Sequence, residues 1–200
     1  MTFRIARLLG GLTLCGWGIA SMVAADLGLG PWDVLHEGVA TRTGIGIGAV
    51  SIGVGALVLL AWFPLRERPG PGTIANVIVI GVVIDLTLLV LDTPSSLAAR
   101  LALCAAGPIL FGVGSGFYLG SHFGSGPRDG LMTGLARRGI SVAVARTGIE
   151  VTALAIGWML GGTVGLGTVL FAVSIGPLVQ LSLRWLTVPV DEVEGVRSAR

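Results

Sequence analysis

The sequence predicts an all-α, polytopic membrane bundle of six spanning helices, built as two inverted three-helix repeats that each carry a short motif helix. Three observations predict it. Of 200 residues, 53% are hydrophobic and only 12% charged, with a mean hydropathy of +0.90, whereas a soluble domain carries about a quarter charged residues. Six separate apolar stretches approach the roughly 20 residues that a helix needs to cross a hydrocarbon core about 30 Å thick. The chain also matches itself at a shift of 96, then 95 after a one-residue gap near Thr43. The partner that composition implies is therefore the lipid bilayer. Net charge is +2, lysine is absent and the thirteen arginines are scattered, so no basic patch points to nucleic acid.

The expected spans are Ile5–Ala25, Ile45–Phe63, Ile74–Leu91, Leu101–Gly120, Ser141–Leu160 and Val164–Leu183. Trp62, Trp158 and Trp185 fall near span ends and read as interfacial anchors. Arg4 and Arg7 before an apolar run that ends in Val23-Ala24-Ala25 also resemble a cleavable leader, but the repeat needs this segment as a permanent span. Alternate loops place eleven arginines on the side of the N-terminus and only Arg42 and Arg100 on the other. Positively charged loops stay in the cytoplasm. Both termini are accordingly expected there, in a multi-pass protein of a bacterial cytoplasmic membrane. Residues 189–200, with Asp191, Glu192 and Glu194, are expected to form a short solvated tail.

The repeat units are about 4–92 and 100–188, within one transmembrane domain covering 1–200. DLGLGPWDVLHEGVATR, residues 26–42, aligns with HFGSGPRDGLMTGLARR, residues 122–138, at eight identical positions of seventeen. Three spans per copy is an odd number, so the second copy enters the membrane from the opposite side. The arginine distribution requires the same.

The shared pattern G-x-G-P-x-D is a helix start. Proline suits the first helical position, glycine permits the turn into it, and aspartate two residues on meets the positive end of the helix dipole. Gly44 and Gly139 are expected to end helices of about twelve residues, too short to span and therefore interfacial or re-entrant. Asp33 and Asp129 either stabilise these helix starts or, with Arg42, Arg128 and Arg138 nearby, help to hold an anionic group. Asp33, His36 and Glu37 share one face, a weak metal-site pattern that the second copy lacks, and no cofactor is expected.

Charges within spans are costly, about 2.5–3.5 kcal/mol at the bilayer centre, and so are candidates for function. Glu150 lies one turn beyond Arg146, and the two can neutralise each other. Asp85 has no such neighbour. Its repeat partner is Gln180 and Asn76 lies on the same helix, so Asp85, Gln180 and Asn76 are expected to line a proton or cation path. Gly112, Gly116 and Gly120, and in the first copy Gly16, Ala20 and Ala24, recur every four residues and suit close helix contact. Pro177 beside Gly176 is a candidate hinge. Cys15 and Cys104 have no metal-ligand or redox spacing.

The segments GLGPWDVLHEGVATRTG, GPRDGLMTGLARRGISVAVARTGIE and GTVGLGTVLFAVSIGPLVQ together resemble the YczE-like branch of the YitT-related bacterial membrane proteins, over about residues 4–186. The resemblance implies a polytopic protein of the cytoplasmic membrane with a suggested transport or export role; it supplies no substrate and no functional residues. Such families are often described with five spans against the six read here. The functions left open are a small secondary transporter or exporter of a small molecule or ion and, in a different class, a noncatalytic scaffold that stabilises a partner, with a homodimer compatible with either. An enzyme is not expected, since no Ser/His dyad or H-E-x-x-H pattern appears.

Overall fold

The structure is a computed structural model that describes residues 1–188. The tail expected at 189–200, with Asp191, Glu192, Glu194, Arg197 and Arg200, lies outside the described residues. Among the described residues eight helices occur in the order long, short, long, long, twice over: α1 Thr2–Ala25, α2 Pro31–Thr43, α3 Ile47–Leu65, α4 Pro71–Leu88, α5 Leu97–Leu119, α6 Pro127–Ala136, α7 Val142–Met159 and α8 Leu166–Leu186. The six long ones are apolar and long enough to cross a membrane.

The helix boundaries follow from local chemistry. Pro31 and Pro127 open the two short helices after Gly30 and Gly126 in extended conformation, as a missing N–H at the first position allows. Gly44 ends α2 with φ 73°, its N–H on the Ala40 carbonyl, the left-handed cap that glycine accepts without strain. The second short helix stops earlier than expected. It ends at Ala136 with Arg137 as its cap, and Gly139 (φ 91°) lies beyond it. Ser96 and Ser141 cap α5 and α7 through bonds from the Ala99 and Val144 amides.

At the centre, α1 packs along α5 through glycines spaced seven apart. Gly11 lies against the Gly114 carbonyl and Gly18 against the Gly107 carbonyl. Rising numbers on one helix meet falling numbers on the other, so the pair is antiparallel. Small residues let the backbones approach, which in lipid takes the place of a hydrophobic driving force. The four-residue glycine series serves the next layer: Gly16 packs on Val83 of α4, and Gly112 and Gly116 on Leu178 and Ser182 of α8. The short helices cross over. α2 packs on α7, with Gly38 against the Gly157 carbonyl, and α6 packs on α3, with Gly130 against the Trp62 ring.

Two departures from the sequence reading bear on the site. Trp62 is not an interfacial anchor: it is 3% exposed, wedged between α3 and α6, and donates from Nε1 to the Pro127 carbonyl at 2.9 Å. Trp158 and Trp185 are exposed, as anchors require. The two copies also differ in closure. α3 packs on α4 through Gly48 and Gly81, whereas α7 and α8 do not pack along each other.

Candidate functional site

A cavity of about 220 Å³ lies at the middle of the bundle, and all eight helices contribute to its wall. Its position follows from the crossing of the short helices. The start of α2 is buried at Trp32, Asp33 and Val34, and the start of α6 meets it: the Arg128 guanidinium lies over the Trp32 ring, 5.0 Å from the centroid. Trp32 and Arg128 occupy the same motif position in the two copies. The two helix starts thus face each other inside the bundle.

Apolar and aromatic groups, among them Ile19, Val54, Phe111, Phe171 and Ile175, form most of the wall. The polar groups are His36, Ser51, Asn76, Ser115, Tyr118, Arg128, Asp129, Arg146 and Glu150. Arg146 Nε and Glu150 Oε1 are 3.0 Å apart and neutralise each other along one helix. Among the described residues Arg128 makes no hydrogen bond or close ion pair: its guanidinium lies over the Trp32 ring, and its charge reaches the Asp129 carboxylate from farther away. The Trp32 Nε1–H is buried and likewise lacks an acceptor.

The two motif aspartates behave differently. Asp129 caps its own helix, accepting from the Gly126 amide at 3.3 Å, and its open side faces the cavity. Burial pushes its carboxyl above the ordinary aspartate value, against the opposing pull of Arg128, the Gly126 amide and Arg146. Folding then favours the protonated form. Its contribution to stability is fully present below the ordinary value of 3.8 and is lost as pH rises through the raised one. Asp129→Asn keeps an oxygen for the Gly126 amide and removes the titration. Thermal unfolding in detergent from pH 4 to 8 should show the wild type losing stability relative to Asp129→Asn as pH rises. Asp33 makes no capping bond. It is 1% exposed, with Oδ1 3.4 Å from Nδ1 of His36.

Other sequence candidates fall elsewhere. Asn76 lines the cavity. Asp85 does not: its two carboxylate oxygens accept the Gly48 and Ala49 amides at 2.7 and 2.9 Å, so that a side chain of α4 caps the first turn of α3. Gln180, its counterpart, is exposed on α8 and is not part of the wall, so the two positions do not share an interior path. Arg42 donates to the Leu160 carbonyl and Arg138 to the Pro64 carbonyl, leaving Arg128 as the motif arginine in the cavity. Glu37 accepts the Thr163 amide and does not complete a metal set with Asp33 and His36. Sequence reasoning passed over Tyr118, Ser115 and Ser51, which carry no motif and whose signal is only their contact with the cavity.

Comparison with known proteins extends over nearly the whole bundle. The chain is 43% identical to an uncharacterized protein of Haemophilus influenzae over 90% of its own length and 83% of the relative's. It is 33% identical to the uncharacterized membrane protein YczE of Bacillus subtilis, over 86% of this chain and 82% of YczE, and 27% identical to the uncharacterized protein YyaS of the same organism over 80% and 82%. No solved structure matches the chain significantly. A family model described as a family of unknown function, DUF6198, matches residues 2–184. Six apolar helices, the match to the family model and these relatives together identify the chain as a membrane protein of the DUF6198 family, similar to YczE.

Proposed function

We propose that this protein is a small secondary transporter or exporter, with the central cavity as its solute site and the two repeats rocking against each other around it. The observation that carries this reading is unequal closure of equivalent parts. Asp85 ties α4 to the first turn of α3, while the equivalent α8 stands off α7 and leaves Gln180 exposed. A pair of inverted repeats with one end closed and the other parted is what alternating access around a fixed midplane site requires. The antiparallel contact of Gly11 with Gly114 and Gly18 with Gly107 supports the inverted relation, since these positions exchange under the 96-residue shift.

With both termini in the cytoplasm, as the arginines favour, the closed end faces outward and the parted end inward. The wall favours a small solute with an apolar body, and the unpartnered donors of Arg128 and Trp32 favour an acceptor group on it.

The test has two arms. In a Cys15→Ala/Cys104→Ala background, a thiol placed at Ser51, on the cavity wall, should be labelled from the cytoplasmic side of sealed vesicles and to a lesser extent from outside. Proteoliposomes of the full chain, screened by capacitive current with a panel of small organic ions under pH and sodium gradients, should show solute-dependent charge movement. Labelling from neither side, together with no current from folded protein, would overturn transport and favour a scaffold.

A further inference from the structure

We infer that His36 is a proton-binding site of the cavity, with Asp33 as its positioning residue, and that the proton is a coupling ligand of the transport cycle. The inference rests on the transporter reading for its coupling role, but not for the proton site itself.

Asp33 and His36 are 1% and 3% exposed, and a carboxylate removed from water without a cationic or donor partner is costly. Asp33 Oδ1 lies 3.4 Å from Nδ1 of His36, and both atoms are otherwise without hydrogen-bond partners. With its proton on Nδ1, the ring turns that proton towards the carboxylate. Nε2 is then left as the basic nitrogen. The ring lines the cavity while Nδ1 is shut off from it, so Nε2 is the nitrogen on the open side. A proton arriving from cavity water binds Nε2, and the imidazolium so formed is balanced by Asp33.

Arg146 and Glu150 of α7 are paired with each other. Arg128 and Asp129 of α6, Tyr118 of α5 and Cys15 of α1 lie on the same wall, and Glu37 of α2 is held by the Thr163 amide. α3 brings no charged side chain. The site exists once per chain. The equivalent of His36 is Met132, which also lines the cavity and takes up no proton. A single imidazole near the pseudo-symmetry axis thus gives the two otherwise similar halves one titrating group between them.

The chain has two histidines, which makes the test direct. His122→Asn, at an exposed position with φ 57° that asparagine tolerates, leaves His36 as the only imidazole. Ring-nitrogen NMR of the full chain, histidine-labelled with nitrogen-15 in lipid nanodiscs, is recorded from pH 5 to 9 with and without Asp33→Asn. The expected result is a neutral tautomer protonated on Nδ1 that converts to imidazolium as pH falls, with less imidazolium at each pH in Asp33→Asn, which has no charge to balance it. His36 remaining neutral throughout would overturn the inference, as would an unchanged midpoint in a folded Asp33→Asn. If that variant does not fold, the titration of His36 beside the native Asp33 decides alone. This equilibrium readout needs no flux, so a failed transport assay with a titrating His36 sinks the transporter reading and leaves the proton site standing.

Discussion

Gly18→Leu is expected to leave no folded protein, whereas Gly10→Ala, two turns earlier on the same helix, is expected to be silent. A Cβ on Gly18 would sit 2.6 Å from the Gly107 carbonyl oxygen and 2.9 Å from the Phe111 amide nitrogen, both backbone atoms of α5. No rotamer change relieves contact with backbone, so α1 and α5 must move apart. That separation would also loosen Gly11 from Gly114, because the two contacts share one helix pair. Overpacking of this kind costs about 1–3 kcal/mol for each small group added, and more where backbone must move. The larger side chain carries the cost beyond the stability of a typical domain, about 5–15 kcal/mol. A Cβ at Gly10 meets nothing within 4 Å. Size-exclusion profiles and thermal unfolding in mild detergent should give an aggregated Gly18→Leu, a folded but clearly destabilised Gly18→Ala, and a Gly10→Ala indistinguishable from wild type. A normally folded Gly18→Leu would mean that α1 and α5 do not cross at these glycines.

That crossing also marks the boundary of what the sequence made legible. Hydropathy located all six long helices within a few residues, because burial in lipid demands a long apolar run and little else. The Gly-Pro pairs located both short helices, because a helix start depends on the residues in it. Contacts between distant parts were harder to read. The four-residue glycine series was visible as a local pattern, but the seven-residue series of Gly11, Gly18, Gly107 and Gly114 becomes meaningful only when α1 lies on α5. Asp85 was visible as a charge in an apolar span, yet its partners are backbone amides 36 and 37 residues away, which have no side-chain signature. Arg42, Arg128 and Arg138 look alike in the motif, and only the fold separates the one in the cavity from the two bound to carbonyls. The unequal closure of the copies was the least legible feature. Repeated sequence predicts equivalent halves, and a single conformation need not keep them equivalent.

Asp85→Ala is expected to loosen the closed end of the bundle and, combined with Gln180→Asp, to reverse which end is closed. The first turn of α3 begins at Gly46, which has no side chain to cap it, so the Gly48 and Ala49 amides depend on Asp85. On α7 the Val144 amide is already satisfied by Ser141, so Gln180 has less to offer and α8 is free to part. Hydrogen bonds to a charged group contribute about 1.5–3 kcal/mol each. Losing both favours opening between α3 and α4 by at least about 3 kcal/mol, roughly 150-fold in the balance of the two arrangements. Gln180→Asp acts on the same balance from the other end, giving α8 a carboxylate for the first-turn amides of α7 when the two approach. In the cysteine-free background, the thiol at Ser51 should change from labelling mainly at the cytoplasmic face to labelling mainly at the outer face in Asp85→Ala/Gln180→Asp, with each single substitution between the extremes. Asp85→Asn keeps one acceptor oxygen and should lie closer to wild type. If Asp85→Ala lowers thermal stability while the sidedness of labelling stays fixed, Asp85 is a structural cap alone and the rocking mechanism loses its support.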